Sequence, residues 1–199
     1  MTSPTGQTDG PDLRRNPIRS RLAAGEPVVG LTITTNNLEA AALGARLGFH
    51  FLWVEMEHSP VSLETLRAIV LATSGKACTV FARVPTAELW TAKRVLDQGV
   101  SGAVFPFVST AETARTAAMA CRYPPAGRRG SGARLAAATW FEPGVYYDSA
   151  DAQILTVCVI EEQRALAEID AIAATPGVDV LFHRHQRSFF FAGIARASG

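Results

Sequence analysis

This sequence predicts an α/β fold around a parallel sheet, and three observations carry the prediction. Six short runs are apolar throughout rather than alternating, which is the pattern of strands covered on both faces. Stretches with 3.6-residue apolar periodicity lie between them, giving the strand–helix alternation of α/β architectures. The helical stretches end near Gly or Pro, and several begin after an Asn, Ser or Thr in a capping position.

In chain order, the strand runs are VVGLTIT (28–34), FHFLWVEME (49–57), CTVFARVP (78–85), GAVFPFV (102–108), ILTVCVIEE (154–162) and VDVLF (178–182). The helices between them are NLEAAALGARLG, SLETLRAIVLATSG, ELWTAKRVLDQG, TAETARTAAMACRYP and RALAEIDAIAATPG. One long interruption, residues 122–153, is rich in Pro, Gly and Arg and reads as a loop or a linker. Two architectures fit this order, the (β/α)8 barrel and the doubly wound open sheet. No GxGxxG or P-loop follows the first strand, which weakens the nucleotide-binding version.

Composition narrows the function classes. With 199 residues the chain can bury one sizeable core, and a formal net charge of +1 gives no electrostatic case for nucleic acid or an anionic membrane. No apolar run is long enough to span a bilayer. Cys78, Cys121 and Cys158 are far apart in apolar surroundings, as buried thiols of a reducing compartment are, so a cytoplasmic location is expected. Residues 1–15 lack a hydrophobic signal core and read as a disordered tail.

In parallel folds, reactive groups gather where strands end. The second strand ends in Glu55-Met56-Glu57-His58, with Glu55 and Glu57 sharing a face by period-2 alternation. The third delivers Arg83, the fifth Glu161-Glu162, and Asp97 closes the third helix. Each alone has a structural reading: a rim histidine at the surface, Arg83 paired with Glu57, Asp97 solvated at a helix end. Together they form a set suited to a carbonyl substrate: a base, a cation for an oxyanion and acidic groups for a metal.

The segments VEMEHSP (54–60), FARVP (81–85), AKRVLDQGVSGAVFPFV (92–108), RYPPAGRRGSG (122–132) and VIEEQRAL (159–166) resemble the HpcH/HpaI aldolase family, related to the citrate lyase β-subunit group. The resemblance runs from about Asn16 to Phe182. It implies a (β/α)8 TIM-barrel fold, incomplete here at about six βα units, as the domain of residues 16–182. It also implies a carbon–carbon lyase acting on a 2-oxo acid and an aldehyde, through a pyruvate enolate held on Mg²⁺, Mn²⁺ or Co²⁺. His58 then matches the catalytic base, Asp97 the acid that orients it, and Arg83 the enolate-stabilising, substrate-binding arginine. Glu161 matches the first metal-binding carboxylate, and Phe105 and Pro106 belong to the substrate-binding segment. A catabolic role and a homo-oligomer are expected from full-length relatives.

Three departures stand out. Glu55 and Val159 occupy positions where many members have Asp and Gln. Arg187 stands where the second metal-binding Asp is expected by count. The seventh and eighth strand–helix units are absent, so unpaired first and sixth strands and poor stability or association are expected. Residues 183–199, with His183-Arg184-His185-Gln186-Arg187 and three phenylalanines, read as a poorly packed tail out of frame with the family. Codons compatible with His183 to Gly193, shifted by a single base, encode Ile-Gly-Thr-Ser-Asp-Leu-Ser-Phe-Ser-Leu-Gly, restoring an Asp at position 187. The expected function is therefore metal-dependent cleavage of 4-hydroxy-2-oxo acids, impaired in this chain. The alternatives are an inactive remnant, or a new metal site of His183, His185 and Glu161.

Overall fold

The computed structural model describes residues 16–140, 144–185 and 188–193, with backbone alone for 184–185 and 188–193. The expectations for the 1–15 tail and for Arg187 lie outside the described residues. Six parallel strands pair in chain order: β1 (Gly30–Ile33), β2 (Phe51–Glu55), β3 (Thr79–Arg83), β4 (Gly102–Phe105), β5 (Leu155–Ile160) and β6 (Val180–His185). A doubly wound sheet would reverse its order part-way; this one advances by one neighbour at each step and curls into a half-barrel.

Local sequence explains the helices that wind around it. Asn37 caps α2 (Leu38–Arg46), Ser62 caps α3 (Leu63–Thr73), and Thr110 and Thr113 form a capping box on α5 (Ala111–Ala120). Between them α4 (Leu89–Leu96) ends at Asp97. The last helical stretch is broken at Glu168 into α8 (Gln163–Ala167) and α9 (Ile169–Ala174).

Strand alternation divides the apolar residues into two clusters. Leu52, Val54, Val80, Ala82, Ala103, Phe105, Cys158 and Ile160 face the helices. Phe51, Trp53, Phe81, Val104, Leu155, Val157, Val159 and Val180 line the concave inner face. That face is crowded at β1, where a Cβ on Gly30 would stand 2.3 Å from Phe51 Cζ, so a larger residue there would displace the Phe51 ring.

A helix not anticipated from the sequence, α1 (Pro17–Ala23), closes the floor, the edge where the strands begin. Ile18 enters the inner cluster with no exposure. The Asn16 amide donates to Ser101 O at 3.1 Å and Gln153 O at 2.8 Å, and Arg19 pairs with Asp179 at 2.8 Å. Asp179 also holds Arg122 at 3.1 Å, so one carboxylate ties the floor helix to the start of the long interruption.

That interruption is more ordered than a linker. It forms α6 (Arg134–Ala138) and α7 (Tyr146–Gln153), organised around a fully buried Arg129. Arg129 Nη2 donates to Tyr146 Oη at 2.5 Å and lies 3.6 Å from Asp97 Oδ1. Its guanidinium sits 4.8 Å from the Tyr123 ring centroid and 5.4 Å from that of Tyr146, within cation–π range.

The chain beyond Phe182 also differs from expectation. Strand β6 continues to His185, and β7 (Ser188–Gly193) pairs with it antiparallel from His185↔Ser188 to Val180↔Gly193. The outer edge of the sixth strand is therefore covered by a hairpin, whereas β1 pairs only with β2 among the described residues. Two residues separate the paired His185 and Ser188, a connection too short for parallel pairing, which needs a crossover of about a dozen residues or more. No helix among the described residues is long and apolar enough to cross a membrane.

Candidate active site

Alternation that turns Phe51 and Trp53 inward also turns Glu55 inward, at the end of β2 where the concave face opens. Arg83 ends β3 directly beside it, in register with Glu55. Its side chain is 6% exposed and is surrounded by three carboxylates. Arg83 Nη1 lies 3.5 Å from Glu55 Oε2, Nε 2.6 Å from Glu57 Oε2, and Nη2 3.1 and 3.2 Å from the two oxygens of Glu161. The contact to Glu57 is the shortest but lies off the N–H axis, so it acts through charge more than through a formed hydrogen bond.

Backbone groups fix these carboxylates. Glu55 Oε1 accepts from the Glu57 and His58 amides at 2.8 and 3.2 Å, and the Ser59 hydroxyl donates to the Glu55 carbonyl. Glu161 Oε1 also accepts the Phe107 amide at 3.0 Å. Phe107 has φ of 53°, an uncommon conformation for a non-glycine residue, and this turns its N–H towards Glu161. His58 stands at the rim, its side chain 60% exposed, with Nε2 3.5 Å from Glu57 Oε1.

Burial raises Glu57 above the usual carboxylate range, with Arg83 and then His58 opposing the shift. Three carboxylates against one guanidinium leave the cluster an excess of negative charge. Below it lies a cleft of about 470 Å³, lined by Thr34 and His58 near the mouth and by Thr32, Trp53 and Phe182 further in.

The structure thus brings His58, Arg83 and Glu161 to one rim, together with Glu55 and Glu57. Asp97 is not there. It closes α4 behind the sheet, facing Arg129, in a groove with Leu63, Glu64, Arg67 and Arg94. Within one chain it does not orient His58, because the helices run opposite to the strands and the sheet separates the two residues. Phe105 is also displaced from its expected place. It is fully buried in the helix-facing cluster, Pro106 is buried next to it, and the chain meets the site through the Phe107 amide instead.

The donors for a divalent cation are incomplete among the described residues. No group of three His, Cys, Asp or Glu side chains among them is arranged to hold one: Glu55, Glu57 and Glu161 converge on Arg83 instead, which engages both oxygens of Glu161. His183 Nδ1 lies 3.1 Å from the Ile160 carbonyl, and the side chain of His185, the other histidine of the alternative site, lies outside the described residues. The described residues do not fit the metal that the resemblance implies.

Comparison with known proteins agrees with this architecture. The HpcH/HpaI aldolase/citrate lyase family model matches residues 29–183. A hydroxypyruvate/pyruvate aldolase of Paraburkholderia phytofirmans is 39% identical over 84% of this chain and 66% of its own length. A 4-hydroxy-2-oxovalerate aldolase of Novosphingobium aromaticivorans is 36% identical over 84% of this chain and 64% of its own. The chain therefore spans just under two thirds of the length of these relatives. A crystal structure of a family protein from Burkholderia cenocepacia superposes with a TM-score of 0.77 at 33% identity, covering 84% of this chain and 68% of that one. The strand order, the arginine held at the concave rim and the match over most of the sheet have one common source: this chain belongs to the HpcH/HpaI aldolase/citrate lyase family.

Proposed function

We propose that this chain carries the Arg83–His58 half of an aldolase site for 4-hydroxy-2-oxo acids, with metal-dependent cleavage severely reduced. The observation that carries the reading is the position of Arg83, buried at the concave rim with His58 beside it. A guanidinium fixed there stabilises the oxygen of a pyruvate enolate, and His58 at the mouth takes and returns the proton. A 2-oxo acid and an aldehyde are the partners. The free, buried cysteines fit a cytoplasmic enzyme.

Reduced activity follows from charge. Glu55, Glu57 and Glu161 already engage Arg83 and disfavour an incoming carboxylate. By sequence count Arg187, which lies outside the described residues, stands at the position where a second metal-binding carboxylate is expected. One unit charge at about 4 Å is worth about 4 kcal/mol at an effective dielectric near 20. The role that the resemblance gives Asp97 needs a second copy of the chain, because the sheet stands between Asp97 and His58 within one copy.

The test is pyruvate release from a 4-hydroxy-2-oxo acid with Mg²⁺, Mn²⁺ or Co²⁺. The expected turnover lies about a thousandfold below that of a full-length relative. Comparable turnover would refute the impairment. A total absence of release with every metal would favour the second reading, a chain without an enzymatic role, which the full engagement of Arg83 also supports.

A further inference from the structure

We infer that Glu57 is a positioning residue: its carboxylate bridges Arg83 and His58 and fixes which nitrogen of the imidazole is free to move a proton. Asp97 lies behind the sheet of its own chain, and within one chain the acidic side chain that meets the His58 ring is Glu57. The two oxygens of Glu57 face different partners, Oε2 towards Arg83 Nε at 2.6 Å and Oε1 towards His58 Nε2 at 3.5 Å. The side chain is 9% exposed and cannot turn freely into water. Its backbone is held as well, because the Glu57 and His58 amides both donate to Glu55 Oε1. The turn after β2 therefore presents a buried carboxylate to an exposed rim histidine.

A carboxylate next to one ring nitrogen favours the proton on that nitrogen. Glu57 thus selects the Nε2–H form and leaves Nδ1 as the nitrogen that accepts a proton. Arg83 holds the other oxygen of Glu57, so the enolate-stabilising group and the base are set by one side chain. The other ionic groups close to this pair are Glu55 and Glu161; both engage Arg83, and Glu55 also accepts the His58 amide.

The assignment of His58 as a base rests on the aldolase reading, but the bridge does not, and the experiment separates them. Nitrogen-15 NMR of the full chain distinguishes the two neutral imidazole forms, with the His58 signals identified by their loss in His58→Gln. The wild type is expected to show mainly the Nε2–H form, and Glu57→Gln to shift His58 towards a mixture. Glu57→Asp, which retracts the charge by one methylene, is expected to lie between. An unchanged His58 pattern in a folded Glu57→Gln chain would overturn the bridge. If Glu57→Gln does not fold, Glu57→Asp decides on the same criterion, and failure of both to fold would make Glu57 a structural residue and overturn the assignment. Absence of pyruvate release, by contrast, counts against the aldolase reading and leaves the tautomer measurement standing.

Discussion

Arg83→Ala is expected to destabilise the chain by about 3–5 kcal/mol at pH 7, because it strips the cation from carboxylates that stay buried. For a chain of this size that corresponds to a fall in melting temperature of about 10 °C. The loss should depend on pH in a defined direction. Burial holds Glu57 above its ordinary range, so the folded state prefers it protonated. Its contribution is most favourable below that range and is lost as pH rises through the raised value. Arg83 opposes this shift, so its removal raises Glu57 further. The destabilisation should therefore be smallest near about pH 4, where carboxylates gain protons, and grow towards neutrality. Urea unfolding at both pH values measures it. A loss of equal size at pH 4 and pH 7 would show that packing, not charge, makes Arg83 important.

Arg129→Ala is expected to cost a similar amount, about 3–5 kcal/mol, at a position far from the candidate site. The substitution leaves the Tyr146 hydroxyl and the Asp97 carboxyl without their cation and opens a space between the Tyr123 and Tyr146 rings. Asp97 is raised by burial and held back by Arg129, so its ionisation becomes costlier in the variant. Arg129→Lys should not restore stability, since one ammonium cannot donate to Tyr146 and also lie within cation–π range of both rings as the broader guanidinium does. Thermal unfolding of both variants is the measurement, and a lysine variant as stable as the wild type would refute the account.

Much of the fold was legible because each inner strand is a continuous apolar run between capped helices. What escaped has physical reasons. The floor helix PIRSRLA is only seven residues long and offers Ile18 and Leu22 alone to the inner cluster, too short a stripe to stand out as periodic. The five residues of α6 are shorter than one reliable period, and α7 has a weak apolar face. The second strand of the closing hairpin, SFFFAG, follows directly on the basic run and carries no polar–apolar alternation.

In the site, the rule that polar residues ending strands meet at one rim served Glu55, Arg83 and Glu161. It failed for Asp97, which ends a helix, and helices in this fold run the other way. The parity of β4 was readable in principle: Val104 faces inward, so Phe105 must face the helices. The Phe107 amide had no compositional signal, since a left-handed backbone at a phenylalanine is set by its surroundings rather than by its side chain.

The floor helix also bears on the order in which this protein assembles. Arg19 meets Asp179 across 160 positions of sequence, and the Asn16 side chain meets Ser101 and Gln153 across 85 and 137. None of these bonds can form until the strands they touch are in place, so the first described helix is among the last elements to dock. During synthesis it must wait for almost the whole sheet to emerge. An element that docks last is commonly the first to be released, and α1 should open without unfolding the rest. Amide hydrogen exchange should therefore be faster in α1 than in β2 to β5, and equal protection of the two would mean that the floor and the sheet form one cooperative unit.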